Sequence, residues 1–256
     1  MVNSRRLTTF LALALVAAGC GGTATPAPAP SPMPVVSVGL SALPLPLSLG
    51  QRYVEADGPL PFDLVPLPSL AGLQAVEDDE SLAHLDYPPA PDGWFSSLVG
   101  WEGIAIVVHP QVVIRQVDRS ELAGIFSGRL THWDQVGAGQ GPILPVLSPD
   151  GDRLRQAFVE QVMPDGRVTT LARLGPTPQA VLEIVAAEAG AIGLIPYRAL
   201  AGEAVALLRL EGELPTEAAI GSGAYGLRVP LLAMAPSEPS GDLRSWLVWA
   251  QSSIGE

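Results

Sequence analysis

Residues 147–158, Leu-Ser-Pro-Asp-Gly-Asp-Arg-Leu-Arg-Gln-Ala-Phe, concentrate the side chains best suited to holding a charged solute. An apolar run ends at Leu147 and the chain turns at Pro149-Asp150-Gly151. Leu154, Phe158 and Val162 then recur every four positions, the stripe of an amphipathic helix. A turn at a helix start can hold an anion, because the first N–H groups lack intrahelical acceptors and carry the positive end of the dipole. Gly151 lets backbone approach a ligand, and Arg153 and Arg155 can pair with an oxyanion. Asp152 opposes that chemistry, and it also fits a helix cap. The stretch therefore reads as a ligand loop, an altered one, or a connector.

Little else in the chain can do chemistry. The three histidines, His84, His109 and His132, do not fall at metal-ligand spacings with another His, Cys or acid. No G-x-S-x-G or P-loop is present, and no nucleophile–base set is visible. Gly221–Gly226, Gly-Ser-Gly-Ala-Tyr-Gly, has no helix signal after it. The acidic run Asp78-Asp79-Glu80 reads as a solvated face. A binding protein without metal or cofactor is expected, not an enzyme. With 26 acidic and 14 basic residues, all of the latter arginine, the net charge is -12. That balance excludes nucleic acid as a partner and gives an anion no long-range attraction, so any anion site must act locally.

The beginning of the chain carries an address. Arg5 and Arg6 precede an apolar stretch from Leu7 to Ala18, too short to span a bilayer, which needs about 20 apolar residues. It reads as a secretory signal over residues 1–19. Ala17-Ala18-Gly19-Cys20 resembles the lipobox of bacterial lipoproteins, in which the cysteine is lipidated and becomes the first residue. Cys20 is the only cysteine, so no internal disulfide can form. Alternating prolines and small residues follow, giving an extended spacer over 20–35 with no core of its own. The expected location is extracytoplasmic, on the membrane but not through it.

The elements that must position residues 147–158 alternate in type. Gly103–Pro110 is a continuous apolar, β-branched run and predicts a strand buried on both faces. Asp118, with Glu121 three residues on, predicts a capping box, and Gly128 a helix stop. Residues 142–147 predict a short strand, 177–190 a helix begun by Thr177 and Pro178, and 191–197 another buried strand. Leu243, Trp246, Leu247 and Ala250 share one face of a last helix. Strands alternating with helices predict α/β layers. Over 36–100, Pro44, Pro46, Pro59, Pro61, Pro66 and Pro68 interrupt the periodicity.

In this order the segments resemble the phosphate-type periplasmic substrate-binding proteins of ABC transporters. Ile125-Phe126-Ser127-Gly128-Arg129 followed by Thr131-His132-Trp133 resembles that family's "IFSGK…TNW" turn. Glu188–Tyr197 resembles its "NPGAIGY" strand entry, and the last helix resembles its terminal one. The resemblance runs from about residue 101 to 256. It implies a two-lobed type II periplasmic-binding-protein fold with a ligand cleft between the lobes. Lobe 1 would take 36–104 plus 205–256, and lobe 2 would take 105–204. It implies a monomer that passes a small anionic solute, phosphate or a related oxyanion, to an ABC permease.

The same resemblance implies where the ligand sits. The family's Gly/Ser/Thr loops correspond here to Gly39-Leu40-Ser41-Ala42, Pro68-Ser69-Leu70-Ala71-Gly72, Asp86-Tyr87-Pro88 and Asp150–Arg155. The implied ligand residues are Ser41, Ser69, Gly151, Asp152, Arg153 and Arg155. In the last loop, Asp152 replaces a serine, Arg153 a glycine and Leu154 a threonine. Asp152 could accept a hydrogen bond from a protonated oxyanion, or only cap its helix. The alternative to phosphate capture is a lipoprotein on the same scaffold that binds a different ligand or serves as a sensor or scaffold.

Overall fold

The computed structural model describes residues 32–200 and 204–253. The segments read as signal, lipobox and most of the spacer lie outside the described residues, Cys20 among them. The first described elements are β1 (Val35–Gly39), α1 (Pro44–Ala56), β2 (Asp63–Leu67), α2 (Ser69–Glu77) and β3 (His84–Asp86). The prolines that obscure this region sit where proline is tolerated. Pro44 and Pro46 fall in the first turn of α1, whose N–H groups have no intrahelical acceptor in any case. Pro66 lies in β2, the outermost strand, and Pro68 precedes α2.

The strand expected from Gly103 is longer than its apolar run. It begins at Phe95 and ends at Val108 (β4, 14 residues). Its first part is half-buried and pairs antiparallel with β11, which hides it from a search for continuous apolar residues. The remaining elements are β5 (Gln116–Val117), α3 (Arg119–Ser127), β6 (Leu144–Leu147), α4 (Arg153–Val162), β7 (Arg173–Leu174), α5 (Pro178–Ala187), β8 (Ala191–Pro196), β9 (Ala206–Leu207), β10 (Arg209–Leu210), α6 (Glu217–Ser222), β11 (Arg228–Ala235) and α7 (Gly241–Ser252). Asp118 and Glu121 form the expected capping box, and Gly128 ends α3 in the left-handed conformation. Thr177 caps α5 through the Ala180 N–H, with Pro178 at the first position.

The sheet runs β2-β1-β3-β11-β4-β8-β6-β7. Parallel pairs join β2, β1 and β3 at one end and β8, β6 and β7 at the other. β4 spans both parts. Phe95–Gly103 pairs with β11, and Ile104–Val108 pairs with β8. Over that second stretch, Ile104, Ile106 and Val108 point into one core while Ala105 and Val107 point into another, beneath α5. Both faces are covered, which is why the segment reads as an unbroken apolar run. The last residue of β1 and the start of α4 thus belong to opposite parts of one sheet. Among the described residues, no helix is long and apolar enough to cross a membrane.

Candidate functional site

The stretch 147–158 folds as a strand end, a tight turn and a helix start. β6 ends at Leu147, Gly151 takes the turn at φ +90°, and Asp152 caps α4 by accepting the Arg155 N–H at 3.2 Å. The capping reading of Asp152 is correct and incomplete. Its Oδ1 also accepts from Ser148 Oγ at 2.8 Å, and its Oδ2 accepts from Ser41 Oγ at 2.6 Å. Ser41 lies in the turn after β1, is only 4% exposed, and comes from the other part of the sheet. Three donors from two sides therefore converge on one carboxylate.

Ser41 is itself held from behind. The wholly buried Tyr87 donates its hydroxyl to the Ser41 carbonyl at 3.0 Å. The Tyr87 N–H donates to Asp86 Oδ1 at 2.8 Å. Asp86 Oδ2 lies 3.2 Å from His84 Nε2, and His84 Nδ1 lies 3.0 Å from Ser37 Oγ. The structure thus gives His84 an acidic partner, and the pair gathers no third metal-ligating side chain among the described residues. His84 and Asp86 stand two apart on a strand, so both side chains leave the same face. The row packs under the glycines of the first two loops. A Cβ on Gly39 would overlap the Asp86 carboxylate, and one on Gly72 would overlap the His84 ring. Those glycines serve close approach by side chains.

The other expected residues are placed as follows. Arg153 donates to the Pro89 carbonyl at 2.6 Å, a second contact between α4 and the β1–β3 side. The Arg155 guanidinium pairs with Asp150 at 2.6 Å and donates to the Ser148 carbonyl at 3.0 Å, bracing the turn. Gly151 and Arg155 also line a cavity of about 300 Å³ with Asp150 and Gln156. Ser69 is half-buried at the first position of α2, and its side chain makes no hydrogen bond among the described residues. The structure brings Ser41 and Asp152 together, with Arg153 adjacent, and leaves Ser69 apart.

Sequence reasoning missed a second buried charge. Glu102 lies two residues before β4 passes from β11 to β8, opposite Val229 of β11, and it is fully buried. Arg198, in the turn after β8, lies 3.4 Å from Glu102 and 3.4 Å from Glu217 of α6. Arg198 also donates to the Trp101 carbonyl at 3.1 Å, and the Gly103 N–H donates to Glu102 at 3.0 Å. Burial pushes the Glu102 carboxyl up to about 7, against the opposing pull of Arg198 and these hydrogen bonds. An acid inside an apolar strand run was the available signal, since buried charge demands a partner.

Two larger cavities adjoin Arg198. One, about 880 Å³, is lined by Leu45, Arg52, Trp101, Arg198 and Glu217. The other, about 810 Å³, takes Leu43 and Ser48 from one side and Thr177 and Tyr197 from the other. Tyr87 is held neutral first by its burial and then by the nearby Glu102, Asp86 and Asp152, so it acts as a hydrogen-bond donor. Glu102, Asp86 and Asp152 thus surround Tyr87, and Arg198 is the counter-charge of Glu102 and Glu217. Among the described residues no group of three or more metal-ligating side chains occurs.

This geometry has a known frame. A model of the PBP superfamily domain matches residues 40–253. The chain belongs to the PBP superfamily. Its structure matches a proposed phosphate ABC transporter substrate-binding protein from Clostridium perfringens, solved with bound phosphate, at a TM-score of 0.76 and 19% identity over 87% of this chain and 94% of that one. It also matches an ABC-type phosphate transport receptor from Vibrio cholerae at a TM-score of 0.65 and 19% identity, over 86% and 93% of the two chains. The fold of this PBP-superfamily chain is the type II α/β arrangement of those proteins. In sequence, it is 25% identical over 150 residues to the phosphate-binding protein PstS of Bacillus subtilis, covering 59% of this chain and 50% of that relative. The chain spans about half the length of that curated relative.

Proposed function

We propose that this PBP-superfamily chain is an extracytoplasmic solute-binding protein that captures phosphate or a related small oxyanion and presents it to an ABC permease. The observation that carries the reading is the convergence of Ser41 Oγ, Ser148 Oγ and the Arg155 N–H on one negatively charged group at the start of α4. Hydroxyls and first-turn N–H groups are the donors an oxyanion needs. The names of the similar proteins supply the transport context. The role is binding, not catalysis. The anchor is a lipid on Cys20, carried by the signal and spacer composition. The protein works as a monomer whose two lobes close on the solute. The first crossing between lobes lies in β4. In this reading the chain returns to the first lobe after Leu210, later than the expected residue 204, which the pairing of β9 and β10 with β4 and β5 supports.

Isothermal titration of the full chain with phosphate and other small oxyanions tests the reading. Saturable one-to-one binding is expected, weakened at least tenfold in Ser41→Ala, since a hydrogen bond to a charged group contributes about 1.5–3 kcal/mol. A folded protein that responds to no oxyanion would sink it and favour the sensor or scaffold alternative.

A further inference from the structure

We infer that Asp152 is the specificity-determining residue of this site: its carboxylate sits in the oxyanion cradle as a tethered occupant that an incoming solute must displace. The inference rests on the oxyanion reading above and goes further by naming what competes with the solute.

Capping alone does not account for the contacts. A cap needs one acceptor for one first-turn N–H, and the Arg155 N–H supplies that bond at 3.2 Å. Asp152 takes two hydroxyl donors besides, each closer than the cap bond, at 2.8 and 2.6 Å. One of them, Ser41 Oγ, arrives from 111 residues away in the other part of the sheet. A hydroxyl turned toward a carboxylate is not available to a second anion at the same time. A carboxylate has about four lone-pair sites, and three are engaged here. The arrangement is what a bound oxyanion would receive from these donors, supplied instead by the chain.

The tether matters energetically. A group fixed to the cradle by its own backbone competes at an effective concentration far above that of a free solute. Its negative charge also repels a second anion at contact distance. The Ser41–Asp152 bond joins the two sides of the site, and Arg153 to the Pro89 carbonyl reinforces it at 2.6 Å. Displacement of Asp152 therefore breaks a contact between the two parts of the sheet as well as a cap. A solute that donates hydrogen bonds to Asp152 avoids that conflict, whereas a fully ionised one meets it directly.

The test is isothermal titration of inorganic phosphate into the wild-type full chain, Asp152→Ser and Asp152→Asn. Both replacements retain a capping oxygen for the Arg155 N–H, so α4 keeps its start. Both remove the negative charge. Far-UV circular dichroism and a thermal transition establish that each variant is folded. Expected is at least tenfold tighter phosphate binding in both variants than in the wild type. Wild-type binding that equals or exceeds that of the variants would overturn the inference and leave the oxyanion reading standing. Folded variants that bind no phosphate, beside a wild type that binds none, would overturn both.

Discussion

Replacing Glu102 by Gln should remove a penalty that the fold carries at neutral and alkaline pH. Glu102 is fully buried, and burial pushes its carboxyl from the ordinary 4.5 up to about 7. The cause is loss of water around the charge, which Arg198 offsets only in part. Because the folded value lies above the unfolded one, the folded state holds its proton over a pH range in which the unfolded state has released it. Stability from this group is therefore lost as pH rises from about 4.5 through 7, and below that window it has no effect. At 1.36 kcal/mol per pKa unit, ionisation at pH 8 costs the folded state about 3 kcal/mol, and the loss between pH 5 and pH 8 is about 2–3 kcal/mol. Gln keeps the shape and accepts the Gly103 N–H, and Arg198 retains the Trp101 carbonyl and Glu217. Urea denaturation at pH 5, 6, 7 and 8 reads the effect. Wild type should fall toward pH 8 relative to Glu102→Gln, with the two converging toward pH 5. Parallel pH profiles would refute the reasoning, because the carboxyl would then not change its proton affinity on folding.

Two further outcomes are expected. Gly39→Ala should destabilise the protein by about 1–3 kcal/mol, because its Cβ would overlap the buried Asp86 carboxylate; an unchanged denaturation midpoint would show that the Ser37–His84–Asp86 row yields without cost. Cys20→Ser should abolish incorporation of a labelled fatty acid and move the protein from the membrane to the soluble fraction; label retained by the variant would place the lipid elsewhere, and a wild type that takes no label would deny it.

Where a structural decision is local, the residues announce it. The Asp118–Glu121 box, Gly128, and the Thr177-Pro178 start each act through bonds spanning three or four positions, and each appears as read. Residues 36–100 hide their elements because proline breaks the hydrophobic periodicity without preventing a helix start or an outer strand. Pro44, Pro46 and Pro66 instead occupy a first turn and an outer strand, where a missing N–H breaks no bond. The first part of β4 is not legible because half-burial against β11 gives no continuous apolar run. At the site, Asp152 was legible as a cap, whereas its partner Ser41 was placed in the site only by resemblance. Glu102 and Arg198, 96 residues apart, left only the oddity of an acid in a strand.

The sequence by itself determined the layered α/β plan, the turn and helix at 147–158, the acidic balance and the signal-like beginning, since each rests on periodicity, caps or composition. Only the tertiary structure decided that the Asp152 carboxylate meets Ser41, that His84 backs Asp86, and that burial raises the Glu102 carboxyl to about 7. Those outcomes depend on which strand lies beside which and on how much water the packing removes. Neither is written in the spacing of residues along the chain.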